Sequence, residues 1–216
     1  MIKKLALLTI VTALTSVSAF ADTGIFGSFI VLSINGGPST FYDLSSATAN
    51  PDFAGTFLGT FNPAAGDMLV LNGGEVDTFK NGDTGGGTGN NITGANTLFN
   101  IHLTSSPQGT FTSIALPFNS EFPAFGTNTG DQKWQETSLG TDLLAGLNPG
   151  NYTFEVFSTA NWNTDGADPS GTHFASNNSN NYVATFSVVP EPSTLTLLAG
   201  PVFLGGWMFL RRRRAS

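Results

Sequence analysis

The side chains that could perform acid, base or nucleophilic chemistry are few in this sequence. Its only histidines are His102 and His173, and cysteine is absent. A Ser-His-Asp triad would need one of these histidines, and no Gly-x-Ser-x-Gly sequence is present to hold the serine. His102 alternates with the apolar Ile101 and Leu103, so we expect it to face solvent, and we expect His173 to lie in a polar loop. We therefore predict ordinary surface histidines and a protein that is not an enzyme.

Carboxylates leave one catalytic alternative open, a secreted hydrolase. Glycoside hydrolysis uses two carboxyl groups about 5–10 Å apart. Fourteen acidic residues lie between residues 22 and 189, and their separation in space decides this alternative.

Four oxygen-bearing side chains follow one another at short spacing near residue 165. Asn161, Asn163 and Asp165 alternate along the chain, Gly166 follows, and Asp168 comes two residues later. This pattern resembles the first half of a calcium-binding loop, although the glutamate that closes such loops is replaced by threonine. The alternatives are a Ca²⁺ site at these four residues or an Asx-rich turn between two strands. No other cofactor is predicted.

Trp134 and Trp162 lie in polar surroundings and could stack on sugar rings. The alternative is that both pack in the core. A carbohydrate- or calcium-binding module is accordingly one of the functions that the sequence leaves open.

The elements that position these side chains are β-strands. Glycine is abundant, with 26 residues, and phenylalanine, with 19, is the commonest aromatic. Such a composition is typical of short strands joined by turns. Hydrophobic runs and alternation predict eight strands, with residues 143–147 as a possible ninth: 25–34, 53–61, 68–71, 75–80, 98–104, 111–118, 152–158 and 182–188. The predicted fold is all-β, an antiparallel immunoglobulin-like sandwich or jelly roll.

A tyrosine motif supports the immunoglobulin-like alternative. Tyr152 opens a strongly alternating strand and follows Leu147-Asn148-Pro149-Gly150. This run resembles the tyrosine corner of immunoglobulin-like sandwiches, in which the tyrosine hydroxyl bonds back to the preceding loop.

The beginning of the chain has the pattern of a signal peptide. Lys3 and Lys4 precede the apolar segment 5–17, and Ala19 and Ala21 form an A-x-A cleavage site. We predict a signal peptide over residues 1–21 and a mature chain that begins at Asp22.

The end of the chain combines a turn motif, an apolar segment and a basic block. Pro190-Glu191-Pro192 precedes the uncharged segment 194–210, which is followed by Arg211, Arg212, Arg213 and Arg214. A helix over 194–210 is about 26 Å long at 1.5 Å per residue, close to the thickness of a bilayer core. The four arginines are a stop-transfer signal and predict a cytoplasmic C-terminus.

This tripartite tail, residues 189–216, resembles the PEP-CTERM sorting signal of bacterial envelope proteins. The resemblance implies recognition by an exosortase, a membrane-embedded cysteine protease that would cut near Pro190-Glu191-Pro192. The protein would be exported, transiently anchored in the inner membrane, and then passed to the cell surface or the exopolysaccharide matrix. Its processing partners would be signal peptidase and the exosortase, and polysaccharide is a further candidate partner.

Residues 22–188 form the predicted ectodomain. The segment 71–82, together with residues 130–134, resembles a β domain found in other bacterial surface proteins, which implies fold and location only. Between residues 22 and 189, two basic residues face fourteen acidic ones, a net charge of −12. Nucleic-acid binding requires a basic face and is excluded. We expect a non-catalytic structural role in the envelope or matrix.

Overall fold

The computed structural model describes residues 23–45, 48–80, 90–164 and 167–190. Within these residues the chain forms twelve strands, two short 3₁₀ turns and no α-helix, so the predicted all-β class is confirmed. The strands are β1 (Thr23–Ile34), β2 (Thr40–Asp43), β3 (Phe57–Phe61), β4 (Leu69–Lys80), β5 (Asn90–Leu103), β6 (Thr112–Leu116), β7 (Phe118–Glu121), β8 (Asp131–Glu136), β9 (Thr141–Asp142), β10 (Gly150–Thr164), β11 (Ala167–Ala175) and β12 (Tyr182–Val188).

In the part of the chain that the structure describes, no helix is long and apolar enough to cross a membrane. The predicted signal peptide 1–21 and the predicted transmembrane helix 194–210 lie outside the described residues.

The strands form two six-stranded sheets over the described ranges. Sheet 1 has the order β2-β1-β4-β8-β7, and β9 also pairs with β4. Sheet 2 has the order β3-β12-β10-β5-β6, and β11 pairs with β10. Here β3 runs parallel to β12, so the expectation of purely antiparallel pairing is wrong at this edge. No hairpin joins these two strands, which lie far apart in sequence, so no tight turn imposes an antiparallel direction.

The two sheets pack face to face over one hydrophobic core. Leu71 and Val76 of sheet 1 belong to the same buried cluster as Phe154, Val156 and Phe186 of sheet 2. The alternation predicted for β10 explains this arrangement, because Phe154 and Val156 point inward and Glu155 points outward. The last strand, β12, has the same bounds in the structure as in the prediction.

Strand β4 is the main difference from the predicted strand pattern. The sequence predicts two strands separated by a turn at Asn72-Gly73-Gly74, whereas the structure has one continuous strand. A Cβ at Gly73 would overlap the carbonyl oxygen of Glu136, and a Cβ at Gly74 would lie 2.5 Å from Thr97 Oγ1. Both glycines therefore permit close approach of neighbouring strands, which glycine does as readily as it forms turns.

Strands β2, β8, β9 and β11 lie outside the predicted strands, and β7 overlaps them only at Phe118. Strand β2 lies within a segment predicted as loop, and β8 includes the polar run Asp131-Gln132-Lys133. The sequence does not predict strand β8 because its polar residues are typical of an exposed segment. In the structure a loop largely covers the outward-facing side chains of this strand.

Candidate functional sites

The candidate sorting motif begins directly beyond the last strand. Strand β12 ends at Val188, and the backbone N–H of Val189 donates to the carbonyl oxygen of Phe61 at 2.9 Å. Pro190 is exposed. The motif residues Glu191 and Pro192 lie outside the described residues, as do the stop-transfer residues Arg211, Arg212, Arg213 and Arg214 and the signal-cleavage residues Ala19 and Ala21.

Three of the four predicted calcium ligands lie on strands β10 and β11. Asn161 and Asn163 belong to β10, Asp168 belongs to β11, and Asp165 lies outside the described residues. Each of the two asparagines is paired with a residue of β11 across the ladder. Asn161 Oδ1 already accepts a hydrogen bond of 2.9 Å from Thr172 Oγ1. Among the described residues, no group of three His, Cys, Asp or Glu side chains is placed to hold a metal ion. The calcium site stays a prediction, and a calcium-specific rise in melting temperature that Asp165→Ala removes would establish it.

His102 lies on the outer face of sheet 2, as predicted, but its side chain is only 13% exposed. Its Nδ1 donates to Asn100 Oδ1 at 2.9 Å, and its Nε2 lies 3.8 Å from Glu155 Oε1. Gln108, in the loop between β5 and β6, donates to Glu155, and Gly109 N donates to Asn100 Oδ1. The expectation of a solvent-exposed His102 is therefore wrong, because this loop folds over the strand and covers the imidazole.

His173 lies in strand β11 rather than in a loop, and its surroundings differ from those of His102. Its Nε2 is 2.7 Å from Thr23 Oγ1, and its ring stacks on Trp162 with a centroid separation of 6.0 Å. Burial lowers the pKa of His173 from its ordinary value. The described contacts give the two histidines no shared partner, so they do not form a common site.

The tryptophans do not form an exposed stacking surface. Trp134 is 8% exposed and belongs to the core, where its Nε1 donates to Thr78 Oγ1 at 3.2 Å. Trp162 is half-buried against the core. Core packing is therefore the role of Trp134, and the proposed sugar stacking by these two residues finds no support in the geometry.

A buried cluster of carboxylates on the outer face of sheet 1 was not anticipated. Glu75, Asp77 and Asp131 are each 6% exposed. Asp77 pairs across the ladder with Lys133, and Glu75 pairs with Gln135. The alternation of Glu75 and Asp77 with inward-facing residues predicts that both acids lie on the outer face of the sheet. It does not predict that this face is covered.

One cation and one amide bind Glu75 within this cluster. Lys133 Nζ lies 3.1 Å from Glu75 Oε1, and Gln135 donates to Glu75 Oε2. Lys133 also lies over the ring of Phe125, 4.6 Å from its centroid. Since Phe125 belongs to the loop between β7 and β8, this loop covers the carboxylates.

Asp77 is the most perturbed acid of the cluster. Burial and the charge of the neighbouring Glu75 together raise its pKa to about 7, while the charge of Lys133 opposes the shift. Its Oδ1 atom is buried without a hydrogen-bond partner among the described residues.

Asp131 lies beside a cavity of about 430 Å³ that is also lined by Phe26, Phe79, Lys80 and Thr127. Its Oδ2 accepts the backbone N–H groups of Thr127 and Asn128 at 2.8 and 2.9 Å. This carboxylate therefore holds the covering loop against β8.

Comparison of the chain with protein-family models, with curated proteins and with solved structures found no match. Function is therefore inferred from the residues of the chain and their geometry.

Proposed function

We propose that this chain is an exported bacterial protein whose β domain is delivered to the cell surface or extracellular matrix by exosortase processing. In this proposal signal peptidase cuts after Ala21, the segment 194–210 anchors the protein transiently in the inner membrane, and an exosortase cuts near Pro190-Glu191-Pro192. The released domain has a non-catalytic, structural role in the envelope or exopolysaccharide matrix.

The observation that carries the proposal is the position of the folded domain within the chain. Strand β1 begins at Thr23, one residue after the predicted mature start, and β12 ends at Val188, two residues before Pro190. Cleavage at both predicted sites would remove none of the residues that the structure describes in either sheet. Pro190, the first residue of the motif, is also exposed.

The proposal that the domain is non-catalytic is supported by the contacts of its buried acids, which stabilise the fold. Glu75 binds Lys133 and Gln135, while Glu155 accepts hydrogen bonds from Gln108 and from Asn181. Glu75 therefore links β4 to β8, and Glu155 links β10 to Gln108 in the loop between β5 and β6 and to Asn181 just before β12. Their hydrogen bonds therefore have a clear role in stability.

We also infer that the two sheets form an immunoglobulin-like sandwich. The support is the hydrogen bond of 2.7 Å from the Tyr152 hydroxyl to the carbonyl oxygen of Asn148, the contact that defines a tyrosine corner. A domain without cysteine depends on such contacts and on its core for stability outside the cell.

Fractionation of cells that hold an active exosortase tests the proposal. The wild-type protein should be recovered from the surface or the medium. A variant with Pro190, Glu191 and Pro192 all replaced by Ala should stay in the membrane fraction, because the processing enzyme would no longer recognise it.

Replacement of Pro201 by Ala is the matched control, since it removes a proline from the tail outside the motif. Its release should equal that of the wild type. Release of the triple variant at the wild-type level would contradict a sorting role for Pro190-Glu191-Pro192.

A further inference from the structure

A polar pocket of about 440 Å³ opens beside the turn between β11 and β12. Its lining includes side chains from three parts of the chain: Ser45, Phe174, Asn177, Asn178, Ser179 and Tyr182. It is separate from the carboxylate cluster, and neither the sorting motif nor the predicted calcium residues contribute to it.

The lining of this pocket is neutral and rich in hydroxyl and amide groups. None of the described lining residues carries a formal charge at neutral pH. Serine hydroxyls and asparagine amides can each donate and accept hydrogen bonds. A ligand with many neutral hydroxyl groups is the best match for such a surface.

An exposed aromatic ring forms one wall of the pocket. Phe174 is 64% exposed, the highest exposure among the large hydrophobic side chains of the described residues. Its ring continues an aromatic row on the outer face of sheet 2, with Phe157 at 6.5 Å and Phe111 a further 5.0 Å beyond Phe157. A flat apolar ring beside hydroxyl and amide groups suits a ligand with one apolar face and polar edges.

The turn that carries the asparagines has an unusual backbone. Asn178, Ser179 and Asn181 have φ values of 54°, 71° and 58°. Residues other than glycine are uncommon in this left-handed region, and such conformations persist where the surrounding structure fixes them. The turn therefore defines the backbone from which the amide side chains project beside the pocket.

We propose that this pocket binds a neutral sugar unit of a polysaccharide. The apolar face of the pyranose ring stacks on Phe174, and its hydroxyl groups exchange hydrogen bonds with Asn177, Asn178 and Ser45. The net charge of −12 between residues 22 and 189 repels uronic-acid polymers. This inference gives the released domain a specific ligand class, and it does not depend on how the tail is processed.

Binding of full-length protein in detergent micelles to immobilised polysaccharides tests the inference. The probes are a β-1,3-glucan, a β-1,4-glucan and a galactomannan, with the polyuronate alginate as the anionic comparison. We expect binding to at least one of the neutral polymers and weaker binding to alginate.

Two variants locate the binding site. Phe174→Ala should weaken binding about twofold to tenfold, because the sugar ring loses the aromatic face on which it stacks. Asn178→Gly should weaken binding about twofold to tenfold, because it removes an amide hydrogen bond. Glycine tolerates the positive φ of this position, so the backbone of the turn is preserved.

Phe57→Ala is the matched control. Phe57 is also highly exposed, at 59%, but it lies on the edge strand β3 and does not line the pocket. Its replacement should leave binding unchanged. The inference is overturned if none of the three neutral polymers binds, or if Phe57→Ala and Phe174→Ala weaken binding equally.

Discussion

Tyr152 connects the loop before β10 to the core of the domain. Its side chain is 5% exposed and stacks on Phe186 with a centroid separation of 5.3 Å. Its hydroxyl donates to the carbonyl oxygen of Asn148, which confirms the contact predicted from Leu147-Asn148-Pro149-Gly150. One hydroxyl group thus fixes the path by which the chain enters its longest strand.

Tyr152→Phe should lower the melting temperature. The change leaves the Asn148 carbonyl without its partner at a cost of about 1–3 kcal/mol. In a domain of this size each kcal/mol corresponds to about 2–4 °C. Calorimetry of the variant checks this, with Tyr42→Phe as a control for the loss of a hydroxyl elsewhere. An unchanged melting temperature would contradict the role assigned to Tyr152.

Asp77 should make stability decrease as the pH rises. Burial raises its pKa from 3.8 to about 7, so the folded state holds more protons than the unfolded state between these values. The free energy of unfolding therefore falls as pH increases from about 4 through 7, and the contribution of the protonated group is complete only below about 4. A pKa difference of one is worth about 1.4 kcal/mol, so denaturant titration can follow the change.

Asp77→Asn should remove most of this pH dependence, because an amide of similar shape does not titrate. The contact between Lys133 and Glu75 would remain in this variant. Asp52→Asn, at an exposed acid, serves as the control and should retain the wild-type profile. If wild type and Asp77→Asn lose stability in parallel over this range, the pH dependence comes from other groups.

At the scale of elements, strand β4 shows how a sequence signal can be ambiguous. An Asn-Gly-Gly run usually indicates a turn. Here it lies inside a paired strand, where glycine is required because atoms of the neighbouring strands lie too close for a Cβ. Gly73 has a φ of 138° and Gly74 packs against Thr97 of the opposite sheet. Only the position of the other strands distinguishes these two uses of glycine.

Gly73→Ala should destabilise the domain strongly, by roughly 2 kcal/mol or more, because it combines backbone strain with an overlap against the Glu136 carbonyl. Gly94→Ala is the matched control in strand β5, where a Cβ would meet no atom within 4 Å. Urea denaturation of both variants measures the difference. Equal stabilities would show that Gly73 does not mark a close approach of β4 to β8.

The sequence was sufficient for the elements whose pattern is local. Alternation identified β12 and the inward-facing residues of β10, and a six-residue motif identified the contact between Tyr152 and Asn148. It was insufficient where distant parts of the chain meet. The cover over Glu75 and Asp77 comes from the loop that carries Phe125, and the neutral pocket joins Ser45 to the turn at Asn178. Neither contact has a spacing that can be read along the chain.

At the scale of the whole molecule, charge and structure divide the chain in the same way. Six of the eight basic residues lie in the first four and the last six positions, and fourteen of the fifteen acids lie between residues 22 and 189. The strands occupy the acidic region from Thr23 to Val188. This division is what the proposed export and sorting of a single acidic domain would require.

The intact mass of the protein released from cells with an active exosortase tests the central claim most directly. The account predicts a chain that begins at Asp22 and ends near Pro190-Glu191-Pro192, with both sheets complete. Recovery of released protein that still carries Arg211 to Arg214 would contradict it.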